Sequence, residues 1–184
     1  MNREQLAHVL RAAAQIVDDP DILVIGSQAI LGSFGDERLP DEATLSIEVD
    51  VAFWNDPDEG KADEVDGAIG ELSSFHQQFG YYGQGVSVTT AVLPEGWRDR
   101  VVPFDRADAG PSTAVCLDAH DLVVSKLVAG REKDLTFAAA LIKERLVDVD
   151  TLLKRAGTID RPEGVRERVC GHIRRCASGG STGS

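Results

Sequence analysis

Two acidic residues alternate with valine in the run Glu48-Val49-Asp50-Val51. Residues two apart in a β-strand share a face, so both carboxylates point the same way, roughly 6–7 Å apart along the strand. Two neighbouring carboxylates repel each other, and a bound divalent cation relieves that repulsion. Mg²⁺ prefers oxygen ligands and usually keeps the phosphates of a substrate in its coordination shell. The pair predicts a site for Mg²⁺ or Mn²⁺; the alternative is a solvated polar face on an edge strand.

A possible phosphate-binding turn precedes this pair in the run Val24-Ile25-Gly26-Ser27. The run predicts a short strand that ends in a Gly-Ser turn and leads into a helix. Glycine lets the backbone approach a ligand closely, and a helix N-terminus with a serine hydroxyl can hold a phosphate. Such turns also occur without any ligand, so Gly26 and Ser27 alone are a weak signal.

A third group of chemically capable residues lies between positions 121 and 137. If this stretch is one continuous helix, five residues lie on or near one face: Lys126, Gly130, Lys133, Asp134 and Phe137. Lys126 and Lys133 could then contact a triphosphate, and the planar guanidinium of Arg131 suits phosphate. Asp134 could position a lysine or contact a metal. The alternative is a solvated surface with an Arg131–Asp134 ion pair and Gly130 as a helix cap.

The charge is divided unevenly along the 184 residues. The formal net charge is -12; residues 1–120 carry 7 basic and 22 acidic side chains, whereas residues 121–184 carry 12 basic and 9 acidic ones. The acidic total argues against a protein that coats nucleic acid and against a basic protein that binds membrane surfaces. The division suggests a metal in the first part and an anion near the second, although charge alone favours a soluble acidic protein with a mixed helical tail.

The apolar spacing predicts the elements that must position these residues. Helices are expected over 3–18, from about Ser27 through Leu31, and over 58–79; strands are expected over 22–25, 44–53, 86–93, within 97–104, and over 113–117. After Asp118, a predicted N-cap, the chain reads as helical: 122–145 with Gly130 as its one breaker, 148–156 and 162–176. This order predicts an α/β core over residues 1–117, a helical lobe over 118–176 and a disordered tail over 177–184.

The sequence also indicates the cellular setting. No apolar run approaches the roughly 20 residues that a membrane span needs, and the N-terminus lacks a signal-peptide pattern. The three cysteines show no CxxC spacing, which disfavours a zinc knuckle or a disulfide framework. We therefore expect a cytoplasmic protein with no membrane partner.

Together, the three motifs resemble the minimal nucleotidyltransferase fold, a mixed sheet flanked by helices. The chain is more narrowly similar to bacterial abortive-infection nucleotidyltransferases, many of which are toxins of toxin–antitoxin pairs. Four stretches within residues 20–156 carry the resemblance: ILVIGSQAI (22–30), SIEVDVAF (46–53), LPEGW (93–97) and DLVVSKLVAGREKDLTF (121–137). The last is the most specific, because a strand, a turn and an acidic pair recur on many folds.

The resemblance implies a role for each motif residue. Gly26 and Ser27 would hold the nucleotide phosphates, and Glu48 and Asp50 would be the metal-binding, catalytic carboxylates. A further group would complete the catalytic and nucleotide-binding site: Lys126 on the triphosphate, with Arg131, Lys133 and Asp134. Such proteins transfer a nucleotide from a nucleoside triphosphate to an acceptor hydroxyl, and some modify the 3′ end of tRNA. A cognate antitoxin is therefore a possible partner.

The sequence departs from the family pattern at three points. The spacing from Ser27 to Glu48 is long, which makes residues 32–43 an insertion, and the first acid is Glu where Asp is commoner. The third carboxylate of polymerase-like members is expected near residues 86–88, which hold no acid. Either Asp134 or Asp148 replaces it, or the site uses fewer metal contacts, or the protein is inactive.

Four interpretations remain open at this point. The first is a metal-dependent nucleotidyltransferase that acts on RNA, and the second is a transferase that modifies a protein acceptor. The third is a catalytically inactive member of the fold that acts as a binding partner. The fourth is a small α/β protein whose acidic face is merely solvated.

Overall fold

A five-stranded mixed sheet forms the centre of the fold. The computed structural model describes residues 1–105 and 113–179. The strands are β1 (Ile22–Val24), β2 (Glu48–Phe53), β3 (Tyr82–Gly85), β4 (Val102–Pro103) and β5 (Val115–Cys116), arranged in the order β3-β2-β1-β5-β4. β1 pairs antiparallel with β2 and parallel with β5, β2 is parallel to β3, and β4 is antiparallel to β5. The predicted mixed α/β class is confirmed.

Helices flank the sheet and make up the C-terminal part of the chain. They are α1 (Arg3–Val17), α2 (Ile30–Ser33), α3 (Asp41–Thr44), α4 (Gly60–Ile69), α5 (Ser74–Phe79), α6 (Ala119–Ala129), α7 (Glu132–Lys143), α8 (Val149–Ala156) and α9 (Glu163–Ala177). Short 3₁₀ turns lie at Ser27–Ala29, Asp36–Arg38, Val88–Thr90 and Trp97–Arg100. None of the helices in the described ranges has the length and apolar character that a membrane crossing requires.

The two faces of the sheet have different roles. A side chain on Gly83 or Gly85 would collide with α1 and α4, because a Cβ there would meet Val9, Ile69 or Ala62. Val49 and Val51 pair with these glycines in parallel register and are fully buried. Side chains alternate along a strand, so Glu48 and Asp50 point to the opposite face. That face is directed toward the C-terminal helices.

The C-terminal helices pack on one another and on the sheet. α6 contacts α7, α8 and α9, and also reaches α2. One continuous apolar cluster includes residues from both parts of the chain, from Leu6 in α1 to Ile173 in α9. The C-terminal helical region is therefore confirmed, while its treatment as a separate lobe that begins at residue 118 stays a prediction. Of the predicted tail, residues 180–184 lie outside the described part.

Two predicted strands differ from the structure. The strand predicted over 44–53 begins only at Glu48, because residues 41–44 form α3 and the apolar Leu45 and Ile47 are exposed rather than buried. Leu45 and Ile47 alternate with polar residues as in a half-buried strand, but their side chains do not reach the core. The strand predicted over 86–93 is wrong: β3 ends at Gly85 and is followed by a 3₁₀ turn. The sequence did not predict β3, because Gly83 and Gly85 interrupt its apolar pattern.

Two predicted long helices are each broken in two. Between 58 and 79 the chain leaves α4 at Gly70, passes through Leu72 at φ 64° and enters α5 behind the N-cap Ser73. Between 122 and 145 the break lies at Gly130, which adopts φ 65° and caps α6. Left-handed residues end helices. Glycine adopts this conformation freely, whereas leucine does so only under tertiary constraint.

A buried charge network joins α6 to α8 and to the turn at Trp97–Arg100. Asp121, fully buried, accepts hydrogen bonds from Arg100 at 2.8 and 3.1 Å and lies 3.0 Å from Arg155. Arg155 also pairs with Asp118, the N-cap of α6. Burial alone would raise the pKa of the Asp118 carboxyl, but the hydrogen bond with His120 and the charge of Arg155 hold that pKa well below its usual range. The charges of Arg100 and Arg155 are thus balanced by the buried Asp121 and the partly buried Asp118.

Replacement of Asp121 by alanine should lower the free energy of unfolding by about 3–5 kcal/mol, because it leaves two guanidinium groups without their buried partner. Urea unfolding measures the change. Glu167→Ala, at an exposed position of α9, is the control and should stay within about 0.5 kcal/mol of the wild type. Equal stability of the Asp121→Ala variant and the control would contradict the importance of the network.

Candidate active site

The Gly-Ser turn lies directly against the second carboxylate of the acidic pair. A Cβ on Gly26 would sit 1.4 Å from Oδ2 of Asp50, so no side chain fits there. The Ile25 amide donates a hydrogen bond to the carbonyl of Asp50 at 3.2 Å, which fixes the turn to β2. Ser27 opens the following 3₁₀ turn. The structure thus brings Gly26, Ser27 and Asp50 together.

The two carboxylates share one partly enclosed environment. The Tyr82 hydroxyl, on the neighbouring strand and in register with Glu48, donates a hydrogen bond to Glu48 Oε2 at 3.3 Å. Burial, and next the charge of Glu48, raise the pKa of Asp50 to about 6. Burial and the nearby carboxylates, Glu48 first, raise the pKa of Tyr82 to about 12. Ionisation of Asp50 is therefore costly, and the charges of Lys126 and Lys133 offset this cost only in part.

The donor set fits a metal ion that takes only two ligands from the protein. Within residues 1–105 and 113–179, no group of three or more His, Cys, Asp or Glu side chains could hold a metal. Mg²⁺ typically binds through one or two carboxylates and fills its shell with water and substrate phosphates. Glu48 and Asp50 offer such a pair of oxygen donors, and a cation bound there would favour the ionised form of Asp50, whose pKa burial and Glu48 raise.

No acid stands on the strand next to this pair. Gln84 lies opposite Asp50 in the β2–β3 register, and its side-chain amide donates to Asp66 Oδ1 at 2.6 Å. Asp134, one predicted substitute for a third carboxylate, is held by basic partners. Asp148, the other, caps α8 by accepting a hydrogen bond from the Thr151 amide at 2.8 Å. Asp148 is thus engaged as a helix cap.

A basic cluster from α6 and α7 faces the acidic pair. Lys126 Nζ lies 3.3 Å from Asp134 Oδ1, and Arg131 Nε lies 2.7 Å from Asp134 Oδ2. Burial alone would raise the pKa of Asp134, but the hydrogen bonds and charges of Arg131 and Lys126 outweigh it and lower the pKa. Asp134 thus orients both cations rather than remaining free for a metal.

Lys126 links the basic cluster to the acidic pair. Burial lowers its pKa, and the charges of Asp134 and Asp50 oppose that shift. Its ammonium also lies 4.9 Å from the centroid of the Phe137 ring. Lys133 is exposed, and its charge also acts on Asp50. The sharp turn at Gly130 keeps these residues together although α6 and α7 are not one continuous helix.

Two cavities meet at Lys126. The larger, about 550 Å³, is lined by residues that include Ser27, Leu45, Lys126, Lys133, Asp134 and Phe137. The smaller, about 330 Å³, is lined by residues that include Gly26, Asp50, Thr90, Ser125, Lys126 and Arg131. Volumes of this size are typical of small-molecule sites. Lys126 therefore lies between two adjoining cavities, and Asp50 of the acidic pair lines the smaller one.

The predicted insertion, residues 32–43, contributes to the wall of the larger cavity. α3, at the end of this insertion, packs on α7. Ala43 and the following Leu45 line the larger cavity opposite Lys133 and Phe137. The insertion therefore builds one wall of that cavity.

Sequence reasoning missed Tyr82 and Gln28. Gln28 is fully buried, and its amide donates to the carbonyl of Ser46 at 3.0 Å, which ties the Gly-Ser turn to the entry of β2. Its place directly after Gly26-Ser27 was the available signal. Tyr82 gave none, because its role depends on the register between β2 and β3.

The fold and site together define a nucleotidyltransferase-type domain. A family model described as "Nucleotidyltransferase of unknown function (DUF6036)" matches residues 4–163. The chain belongs to this family, which confirms the nucleotidyltransferase part of the predicted resemblance. Neither the curated proteins nor the solved structures contain a match to the chain.

Gly26→Ala should disrupt the acidic pair, because the new methyl group would occupy the position of the Asp50 carboxylate. The variant should lose at least about 1 kcal/mol of unfolding free energy, as expected for overpacking. The matched control is Gly67→Ala in α4, where a Cβ meets nothing within 4 Å and alanine should stabilise the helix by about 0.5–1 kcal/mol. Urea unfolding of both variants checks the opposite signs; equal effects would contradict the close contact.

Because its pKa is raised, Asp50 should make the stability of the protein depend on pH in the absence of divalent ions. A folded-state pKa near 6 exceeds the unfolded value, so the folded protein binds this proton more tightly and Asp50 destabilises it increasingly as the pH rises from about 4 to 6. Asp50→Asn should therefore be more stable than the wild type at pH 8, by roughly 1–3 kcal/mol.

This advantage should shrink toward pH 4, where Asp50 is protonated in the folded wild type. Urea unfolding with a chelator across this range tests the prediction. Asp63→Asn, at an exposed position of α4, controls for the loss of one negative charge. A difference between wild type and Asp50→Asn that does not change with pH would show that Asp50 is not the responsible group.

Proposed function

We propose that this protein is a metal-dependent nucleotidyltransferase that transfers a nucleotide from a nucleoside triphosphate to an acceptor hydroxyl, with release of pyrophosphate. One observation carries the proposal. Asp50, beside Glu48, interacts electrostatically with the partly buried Lys126, and Lys126 lines both adjoining cavities. A cation site and a fixed ammonium at such a junction suit the transfer of a phosphoryl-type group between two bound molecules.

The nucleoside triphosphate occupies the larger cavity in this proposal. Ser27 and Lys133 line that cavity with Lys126, and they supply a hydroxyl and two cations for the phosphates. Phe137 and Leu45 provide apolar surface for the nucleoside. The acceptor approaches through the smaller cavity, where Asp50, Ser125 and Arg131 lie. The α-phosphate then stands at the junction.

In the reaction the acceptor oxygen forms a bond to the α-phosphorus and loses its proton to solvent. The bond between the α-phosphorus and the oxygen bridging to the β-phosphate breaks, and pyrophosphate leaves. Lys126 and Lys133 stabilise the charge that develops on the departing pyrophosphate. Arg131, in the smaller cavity, offers a planar set of donors to the phosphates of the acceptor. Asp134 holds Lys126 and Arg131 in place. Mg²⁺ or Mn²⁺ held by Glu48 and Asp50 supplies charge neutralisation at the α-phosphate.

The acceptor in this proposal is RNA, with the 3′ end of tRNA as the leading candidate. The similarity to abortive-infection nucleotidyltransferases supports this part and a role as the toxin of a toxin–antitoxin pair. The basic surplus after residue 120 lies in the part of the chain that contributes Lys126, Arg131 and Lys133. Growth arrest on induced expression, lost with Asp50→Asn, is the test of the toxin role.

Incubation with each labelled nucleoside triphosphate, Mg²⁺ and total cellular RNA, followed by separation of RNA from protein, tests the transfer. We expect label in the RNA fraction and a loss of at least about 1000-fold in rate for Asp50→Asn, because metal-assisted charge stabilisation contributes several kcal/mol. Asp63→Asn should retain wild-type activity.

Each other outcome of this experiment contradicts the proposal in a definite way. Label in the protein fraction identifies a protein acceptor. Nucleotide binding without any transfer, measured by calorimetry, identifies an inactive member of the fold. Transfer to RNA that is unchanged in Asp50→Asn removes the acidic pair from the mechanism.

A further inference from the structure

We propose that Trp54, Trp97 and Arg98 form a platform on which an unpaired base of the acceptor RNA stacks; the inference rests on the proposed transfer to RNA. The two indole rings are stacked, with centroids 5.7 Å apart and planes inclined by 10°. The Arg98 guanidinium lies over both, 5.3 Å from the Trp54 ring centroid and 4.8 Å from that of Trp97. We call this group the Trp–Arg platform.

The platform is available to a ligand. Trp54 is 37% exposed, and Arg98 is exposed. Within residues 1–105 and 113–179, the Arg98 guanidinium contacts the two indole rings and forms no ion pair. Its planar set of N–H donors is thus held in place by the indoles while its hydrogen-bonding capacity stays unused. Stacked aromatic rings beside a free arginine suit an unpaired nucleobase and its phosphate.

The platform is also rigid. Trp97 and Arg98 follow Gly96, which adopts φ 74°. Arg100, at the end of the same turn, bonds to the carbonyl of Glu95 at 2.9 Å and to the buried Asp121. Pro94 pairs with Ile159, which fastens the start of the turn to the C-terminal helices. The LPEGW motif and the following Arg98 therefore hold an aromatic ring and a cation at fixed positions, a role that the transfer chemistry leaves unassigned.

The platform is connected to the reaction site by one segment of chain. Residues 86–89 line a cleft of about 320 Å³ that also contains Trp54 and Arg98. The next residues, 90–92, line the cavity that contains Asp50. Along β2, Trp54 follows Asp50 by four residues, about 13 Å in an extended strand. An RNA strand whose terminal hydroxyl lies beside Asp50 can thus place one of its preceding bases on the Trp–Arg platform.

Charge limits the strength of this contact. The net charge is -12, and Asp56 and Glu59 line the same cleft as Trp54. Stacking therefore dominates over phosphate contacts, and binding should be weak with a shallow salt dependence. This distinguishes the platform from a basic groove that follows a nucleic-acid backbone.

The chain offers a selective probe, because Trp54 and Trp97 are its two tryptophans. Titration of the Asp50→Asn variant, which does not turn over, with a short single-stranded oligoribonucleotide should quench the tryptophan emission in a saturable way. The same sequence in a duplex should quench much less, because its bases are already stacked. Absence of quenching by the single strand would overturn the inference.

Two variants test the platform with a label on the RNA instead. Trp54→Leu and Arg98→Gln should each weaken binding of the single strand by roughly 10-fold, measured by fluorescence anisotropy. The matched control is Arg38→Gln, because Arg38 lies over the Phe34 ring at 5.1 Å in another part of the chain. Arg98 is exposed, so Arg98→Gln should fold normally, and thermal unfolding verifies both variants. Affinities equal to that of the control would refute the platform.

The failures of the two proposals are distinguishable. If RNA is labelled by the wild type while Trp54→Leu and Arg98→Gln retain its KM for RNA, the transfer stands and the platform is wrong. If the wild type labels no RNA but the single strand quenches the emission and the variants weaken binding, the platform stands and the transfer is wrong. Labelling of a protein acceptor without quenching by RNA overturns both.

Discussion

The contact between the Gly26 backbone and the Asp50 carboxylate is the constraint on which the site depends. It leaves no room for a side chain at Gly26, and it confines Asp50 beside Glu48, where burial raises its pKa. A buried carboxylate with a raised pKa is costly at neutral pH unless a cation compensates it. The charge of Asp50 also acts on Lys126, but Lys126 interacts more strongly with Asp134, whose Oδ1 lies 3.3 Å from its Nζ. The side chains of the protein therefore neutralise the negative charge of Glu48 and Asp50 only in part. This remaining negative charge is the physical basis for the proposed metal.

The C-terminal helices extend this arrangement rather than merely cover it. The αL turn at Gly130 splits the basic segment, so that Lys126 projects from the end of α6 and Arg131 and Asp134 cap the start of α7. The buried Asp121 anchors α6 from its other end through Arg100 and Arg155. The same Arg100 fixes the turn that carries Trp97. One buried aspartate therefore supports both the helix that brings Lys126 to the acidic pair and the proposed platform for the acceptor.

How far the sequence could predict this arrangement depended on the range of the interactions. Glu48 and Asp50 were predictable as a pair because the two-residue period of a strand is local, and the position of Gly130 as a breaker was visible. The expected continuous helix failed because a glycine can either continue or cap a helix, and only packing decides. The strand expected at 86–93 failed because Gly83 and Gly85 are selected by the close approach of α1 and α4. The positions of Tyr82 and Gln84 beside the acidic pair depend on the register between β2 and β3. The Trp54–Trp97 stack joins residues that are far apart in sequence. Neither arrangement leaves a local signal in the sequence.

The most direct test of the central claim is a calorimetric titration of the wild-type protein with a non-hydrolysable nucleoside triphosphate, with and without Mg²⁺. The claim is that Glu48 and Asp50 bind the metal that a nucleotide on Lys126 and Lys133 requires. We predict that nucleotide binding is strengthened at least about 10-fold by Mg²⁺ in the wild type, and that Asp50→Asn loses this enhancement. Metal-independent binding of equal affinity in both proteins, or no nucleotide binding in either condition, would contradict the account.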